Sequence, residues 1–208
     1  RPRQNGVNAI TIREDDQVIQ VRLTTGDSQI IMANKHGRAI RFHESTVREM
    51  GRTATGVRGM TLDETGDDEV IGMICIKDPE KETVMVVSEQ GYGKRSEIED
   101  YRITNRGGKG VKTLNITEKT GNLVAIKSVT DENDLVIINK SGITLRMKVA
   151  DVRIMGRATQ GVRLINLEKR NDEIASVCKV LSETESDSSN SENIDSASEI
   201  NEAEASET

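Results

Sequence analysis

Basic side chains return to fixed places along this chain, and that spacing is the main chemistry the sequence offers. Arg41, Arg95 and Arg146 each stand four residues after a turn glycine, Gly37, Gly91 or Gly142. Arg48, Arg102 and Arg153 lie eight residues before a Gly-Val pair, and Arg52, Arg106 and Arg157 lie four before it. Arg58, Lys112 and Arg163 follow that pair's glycine by two, with Asn8 in the same place at the first pair. Exposed salt bridges contribute only ~0–1 kcal/mol each, so a fold has little need of cations held in register for stability. The plain alternative is that they are solvated loop charges copied by duplication. A periodic set of cations matches a partner that is itself periodic and negatively charged, which points to DNA.

A second constellation is the hexamer Asn105-Arg106-Gly107-Gly108-Lys109-Gly110. Its glycines let backbone approach a phosphate and present amide donors, while Arg106 and Lys109 supply charge. Flexible turns share this composition, so its place in the repeat matters more than the motif. The sequence contains no Walker-type loop, HExxH, Cys-x-x-Cys or GxSxG pattern. Tyr92 and Tyr101 could act as nucleophiles, but the plainer reading is partial packing with the hydroxyl at the surface. Cys75 and Cys178 read as small buried hydrophobes, and neither His36 nor His43 has neighbours at metal spacing. No catalytic site or metal site is expected.

The elements that must position these cations form a repeat. Gly6-Val7, Gly56-Val57, Gly110-Val111 and Gly161-Val162 anchor it at intervals of 50, 54 and 51 residues. Self-similarity at this period marks a propeller-like or solenoid architecture. The units are 6–55, 56–109, 110–160 and a partial 161–180. Each runs from Gly-Val through a polar turn into an apolar strand: Val18 to Val21, Val70 to Ile76, Leu123 to Ile126 and Ile174 to Val177. A second strand follows in the first three units (Gln29 to Met32, Thr83 to Val87, Asp134 to Ile138), then a glycine turn and a further strand. Short Val/Ile-rich runs bounded by Gly, Asn and Asp read as strands and hairpins. Gly51, Asn105 and Gly156, five residues before an anchor, are expected to share a left-handed backbone. No helical apolar period is sustained, so the body, 1–181, is expected to be all-β with about four strands per unit.

Charge divides the chain further. The net charge is -6, yet residues 182–208 hold nine acidic side chains and no basic one, which leaves 26 acidic against 29 basic residues in the body. The Ser/Glu/Asn/Ala tail has too little apolar content to offset its ordering entropy and is expected to be disordered. It would serve as a solubilising terminus or as an acidic competitor for the basic surface. Aromatics are 1% of the chain, which argues against a protein-binding scaffold built on aromatic hot spots. Without a signal peptide or an apolar run long enough to span a bilayer, a cytoplasmic protein is expected. The first residue is Arg1 rather than Met, as expected of a fragment of something longer.

These motifs resemble a known family. Arg41-Phe42-His43-Glu44-Ser45, Val47-Arg48-Glu49-Met50-Gly51 and Thr55-Gly56-Val57-Arg58-Gly59 carry the likeness. So do Gln90-Gly91-Tyr92-Gly93-Lys94-Arg95 and the run from Val152 to Val162. Together they look like the C-terminal domain of DNA gyrase A, a component of a bacterial type IIA topoisomerase. The resemblance implies a β-pinwheel, a propeller-like disc whose basic rim wraps duplex DNA, of which this chain is a partial disc. The family's glycine-rich box belongs to a blade not seen here, and Asn105 to Gly110 looks like its degenerate counterpart. DNA contact is therefore expected at Arg41, Arg48, Arg52, Arg58, Arg95, Arg102, Arg106, Lys109, Lys112, Arg146, Arg153, Arg157 and Arg163.

The resemblance also implies partners: gyrase B and a second copy of gyrase A in a heterotetramer, reached through a region this chain lacks. It implies no cofactor in this stretch, ATP and Mg2+ being used elsewhere in the holoenzyme, and a bacterial cytoplasmic, nucleoid-associated location. The DNA-cleaving tyrosine of the family lies in the missing region, so neither Tyr92 nor Tyr101 inherits that role. The corresponding domain of topoisomerase IV, which would steer DNA topology without strong wrapping, remains an alternative. A protein-binding propeller scaffold is a more distant one.

Overall fold

Among the described residues, short runs rich in Val and Ile build three antiparallel sheets. The computed structural model describes residues 4–64, 66–167 and 172–182. Each sheet starts from a hairpin: β1 (Gln29–Asn34) with β2 (Arg38–His43), β4 (Thr83–Ser88) with β5 (Tyr92–Glu97), and β8 (Asn133–Asn139) with β9 (Thr144–Lys148). The hairpin turns close on Gly37, Gly91 and Gly142 at φ 75°, 76° and 87°, a left-handed backbone that glycine enters without a Cβ clash. Short 3-10 helices that the sequence did not announce follow the hairpins at Glu44–Thr46, Ile98–Asp100 and Val149–Asp151.

The Gly-Val units and the sheets are out of phase. β3 (Val70–Ile76), β7 (Leu123–Val129) and β11 (Ile174–Leu181) each pair with the first strand of the preceding unit's hairpin. The two-residue strands β6 (Val111–Lys112) and β10 (Val162–Arg163) pair with β2 and β5, the second hairpin strands from two units back. The sheet orders are β3-β1-β2-β6, β10-β5-β4-β7 and β11-β8-β9. Each four-stranded sheet thus draws on three consecutive units. β3 packs against β7 and β7 against β11, so these strands form the inner side of the array and β6 and β10 lie on the opposite, outer edges.

Period-two alternation explains the packing. On β4, Val84 and Val86 enter the core shared with Ile31, Ile74 and Leu123, while Met85 and Val87 enter the core shared with Leu135, Ile137 and Ile174. The strand is buried along its whole length, and each such side chain contributes about 1.5–3 kcal/mol of apolar burial. On β1 the opposite face, Ile30 with Ile40, Phe42 and Met60, forms a third cluster on the outside of the first sheet.

Three expectations change here. Val18 to Val21 form no strand, because their counterparts pair with a preceding hairpin and none is present for them among the described residues. Val18, Ile19 and Val21 stay exposed, and the Gln20 side-chain amide instead bonds both backbone groups of Met73, at 2.9 Å each. Gly51, Asn105 and Gly156 do not take positive φ; the anchor glycines Gly56, Gly110 and Gly161 do, at 91°, 70° and 81°. Cys75 is half-buried, and Cys178 is exposed because it lies on the uncovered face of β11. Among the described residues no helix is long and apolar enough to cross a membrane. The acidic tail lies outside the described residues from 183 onward.

Candidate nucleic-acid interface

The basic columns ride on segments that run along the outer sheet edges. From Arg102 to Lys112 the chain follows β2: Ile103 makes a parallel bridge to Arg41, Thr104 N–H donates to the Arg41 carbonyl at 2.8 Å, and Val111 pairs with Ala39. From Arg153 to Arg163 it follows β5 in the same way, with Ile154 bridged to Arg95 and Met155 N–H donating to the Arg95 carbonyl at 2.8 Å. The anchor glycine is what permits this approach. A Cβ on Gly110 would stand 2.3 Å from the Ala39 carbonyl oxygen, and one on Gly161 2.6 Å from that of Gly93. Gly56, which has no such strand beside it, would meet nothing within 4 Å.

On these segments and on the equivalent stretch from 48 to 58, Arg48, Arg52, Arg58, Arg102, Lys109, Lys112, Arg153 and Arg163 are exposed. Arg106 and Arg157 are half-buried and tie one outer segment to the previous one. Arg106 donates to the carbonyls of Thr46 and Arg58 at 2.9 and 3.0 Å, and Arg157 to that of Lys112 at 2.9 Å. A carbonyl acceptor orients a guanidinium without cancelling its charge, so both remain cations at the edge. Arg163 donates to the Tyr92 hydroxyl at 3.2 and 3.0 Å and sits 5.6 Å from the ring centroid, with Lys119 at 5.4 Å from the same ring. Tyr92 thereby holds two cations by the attraction of its ring for positive charge.

The glycine-rich hexamer is braced against the previous segment. Gly107 N–H donates to the Gly59 carbonyl at 2.6 Å, and Thr61 donates to the carbonyls of Gly107 and Gly108 at 2.7 and 2.9 Å. Beside it a cleft of about 300 Å³ is lined by Ile40, Arg102, Asn105, Gly108 and Lys109. Arg102 and Lys109 make it cationic.

Two members of one expected column are corrected. Arg41 and Arg95 are only 8% and 4% exposed and do not face outward. Arg41 donates to Gln29 and to the carbonyls of Ile98 and Tyr101, at 2.8 and 2.9 Å for the latter two. Arg95 repeats the pattern with Thr83 at 3.1 Å and the carbonyls of Val149 and Val152 at 3.1 and 3.4 Å, and it reaches Asp131 at 2.7 Å. Each guanidinium stitches its own hairpin to the 3-10 helix and following residue of the next unit. Arg146 occupies the same place in the third sheet, where its Nε donates to Asp134 at 2.8 Å. It stays exposed because the described residues supply no further 3-10 turn to cover it.

The chain is similar to known proteins in sequence and in fold. The family described as the DNA gyrase C-terminal domain, beta-propeller, matches residues 2–25, 28–77, 82–130 and 133–178. The chain belongs to the DNA gyrase C-terminal domain family. The last three matched stretches each begin and end close to one of the sheets, in step with the strands rather than with the Gly-Val anchors.

The DNA gyrase A protein of Staphylococcus aureus (strain NCTC 8325 / PS 47) is 48% identical over 192 residues, 92% of this chain and 21% of that one. In S. aureus strain MRSA252 the identity is 52% over 167 residues, 80% of this chain and 19% of that one. The chain thus spans about a fifth of the length of these curated relatives. A solved DNA gyrase A C-terminal domain superposes with a TM-score of 0.76 at 28% identity, covering 86% of this chain and 59% of that one. The C-terminal domain of a DNA topoisomerase IV gives 0.78 at 25% identity, covering 88% and 56%.

Two buried groups of this gyrase-family chain escaped the sequence reading. Tyr101 is fully buried, with its hydroxyl 2.5 Å from Thr113 Oγ1, and burial pushes its pKa up to about 12. Its hydroxyl is therefore buried and not at the surface, where the sequence placed it. Lys94 is also fully buried, and its ammonium donates to the Gly156 carbonyl at 2.7 Å. Burial lowers its pKa from 10.5 to about 8. The matching place in the first sheet is Ile40, and that column, Ile40, Lys94 and Leu145, was the signal that this lysine faces inward.

Away from the edge segments, His36 at the first hairpin turn lies between carboxylates: Nδ1 is 3.2 Å from Asp63, Nε2 3.4 Å from Asp67, and Asp68 is 3.9 Å away. Burial opposes its charge, but the bond to Asp63 and the field of Asp68 and Asp67 outweigh this and raise its pKa above 6.5.

Proposed function

We propose that this chain binds and wraps duplex DNA along its outer edge segments, largely without regard to sequence, as the C-terminal part of a DNA gyrase A protein. The observation that carries this reading is the recurrence of one basic segment along the outer edge of successive sheets, at Arg102 to Lys112 and Arg153 to Arg163. Bending tens of base pairs of stiff duplex costs several kcal/mol, and cations at regular intervals offset that cost by neutralising phosphate and releasing counterions. Histone arginines do the same without reading bases. The burial of Arg41 and Arg95 narrows the contact set to Arg48, Arg52, Arg58, Arg102, Arg106, Lys109, Lys112, Arg146, Arg153, Arg157 and Arg163.

In this reading the wrapped segment serves ATP-dependent negative supercoiling by double-strand passage. A heterotetramer of two gyrase A and two gyrase B proteins would carry out the cutting and the ATP hydrolysis, in the bacterial cytoplasm on the nucleoid. The topoisomerase IV reading is supported by the close superposition on that enzyme's C-terminal domain. The 48% identity to a gyrase A protein favours gyrase.

The test is a binding titration over a salt series on a duplex of about 150 base pairs, the length a histone core wraps. Reversing charge at Arg48, Arg102 and Arg153 together is expected to weaken binding to every sequence and to lower the salt slope by about three. Unchanged affinity and slope in the folded triple variant would overturn the reading.

A further inference from the structure

The outer segments carry one feature that phosphate binding does not use. Ile103 is 54% exposed and Ile154 is 45% exposed, and the two occupy the same place on the edges of the first and second sheets. Each sits directly after an exposed arginine, Arg102 or Arg153, and three residues before a tethered one, Arg106 or Arg157. The backbone at both places is fixed, by the bridge to Arg41 or Arg95 and by the 2.8 Å bond donated from the next residue. The equivalent residue of the first unit is Glu49, and no described sheet edge lies behind it. An apolar side chain therefore recurs wherever a basic segment is mounted on a complete sheet.

A lone exposed isoleucine needs no explanation on an ordinary surface. Two in register, each on a fixed backbone between cations, do. The flanking arginines select a polyanion as the occupant and disfavour an apolar protein surface. Ile is stiff at χ1, so it loses little rotamer freedom when something closes over it. Proteins that bend duplex DNA insert apolar side chains of this kind between base steps from the minor groove, unstacking them and kinking the helix.

We propose that Ile103 and Ile154 are wedges, one per sheet, that enter the minor groove of the wrapped duplex and localise its bending. This rests on the DNA-wrapping reading above. The arginines would hold the phosphates on either side while the isoleucine opens the step between them. Flexible pyrimidine–purine steps would then be favoured at those points, a preference set by deformability and not by base contacts.

The experiment compares the full chain with Ile103→Ser, Ile154→Ser, the double variant and the double Ile→Leu variant. End-to-end energy transfer on a duplex of about 150 base pairs reads the bend, and a salt titration reads affinity. Arg102→Glu with Arg153→Glu is run alongside. Burial of half an isoleucine side chain corresponds to about a fivefold change in affinity, so the serine double variant is expected to bind about 25-fold more weakly. Its bend should fall, its salt slope should stay unchanged, and the leucine variant should retain both.

If the charge variants weaken binding while the serine variants keep affinity and bend, the wedge is refuted and the wrapping reading stands. If neither set changes anything, both fail. A serine variant that loses salt slope along with affinity would mean that the isoleucines only position the arginines, which also overturns the wedge. Because both residues are exposed, melting of each variant should match the parent. Ile103→Thr, which keeps the β-branch, repeats the test should a serine variant unfold.

Discussion

Replacing Arg95 by methionine keeps the apolar stem and removes the guanidinium. The side chain is 4% exposed and donates to Thr83, Val149 and Val152 within 3.4 Å. The Asp131 contact counts for little, because that carboxylate is 73% exposed and screened by water. What remains is the loss of charged donors to two carbonyls and a hydroxyl in a dry site. Hydrogen bonds to charged groups contribute about 1.5–3 kcal/mol each and are not additive, so a total near 3–4 kcal/mol is expected. Set against a typical total stability of about 5–15 kcal/mol, that is a large fraction. With a urea slope of about 2 kcal/mol per molar, the midpoint followed by circular dichroism should drop by about 2 M. DNA affinity and salt slope, measured where the variant is still folded, should stay as in the parent. A midpoint shift below about 0.5 M, together with a salt slope reduced by about one, would show that Arg95 contacts phosphate after all and leaves its buried site to do so.

Two further outcomes follow from buried and clustered charge. Lys94→Ile places in the second sheet the residue that the first sheet has at Ile40. The drop from 10.5 to about 8 corresponds to ~3 kcal/mol of charge burial, from which the lost bond to Gly156 takes ~1–2 kcal/mol. The variant should therefore be more stable than the parent below pH 8, by urea titration. The parent's stability should rise between pH 8 and 10.5, where the unfolded chain holds a proton that folded Lys94 releases, and the variant should lack this rise. His36→Gln, which copies Gln90 of the matching turn, removes a group whose folded pKa is raised. The stability His36 supplies is fully present below 6.5 and is lost as pH climbs through the raised folded value, so parent and variant melting temperatures should converge as pH increases through that range.

Much of the architecture was legible because it rests on local rules. Short runs rich in Val and Ile located β3, β4, β7, β8 and β11, and the hairpin glycines located the turns. The Gly-Val anchor was visible as a pattern, but its cause was not. It is the approach of Gly110 to Ala39 and of Gly161 to Gly93, across more than sixty residues of chain. Arg41 and Arg153 look alike in sequence, yet one caps carbonyls inside the array and the other faces solvent, because an arginine's role depends on which carbonyls the next unit delivers. The same non-locality hid the fate of Val18 to Val21, whose strand character requires a partner hairpin. Lys94 could have been assigned inward only by aligning it with Ile40 and Leu145.

The out-of-phase strand exchange also determines how the array carries a load. A bent duplex acts as a spring, and it pushes outward on whatever holds it. The segment that would grip it on the first sheet, Arg102 to Lys112, continues directly into β7, an inner strand of the second sheet. The segment on the second sheet, Arg153 to Arg163, leads likewise to β11 of the third. Tension applied at one outer edge is therefore transmitted through the covalent chain to the inner side of the next sheet. On the wrapping reading, no sheet would bear the recoil of its own stretch of DNA alone, and peeling one edge strand would strain the neighbouring core as well.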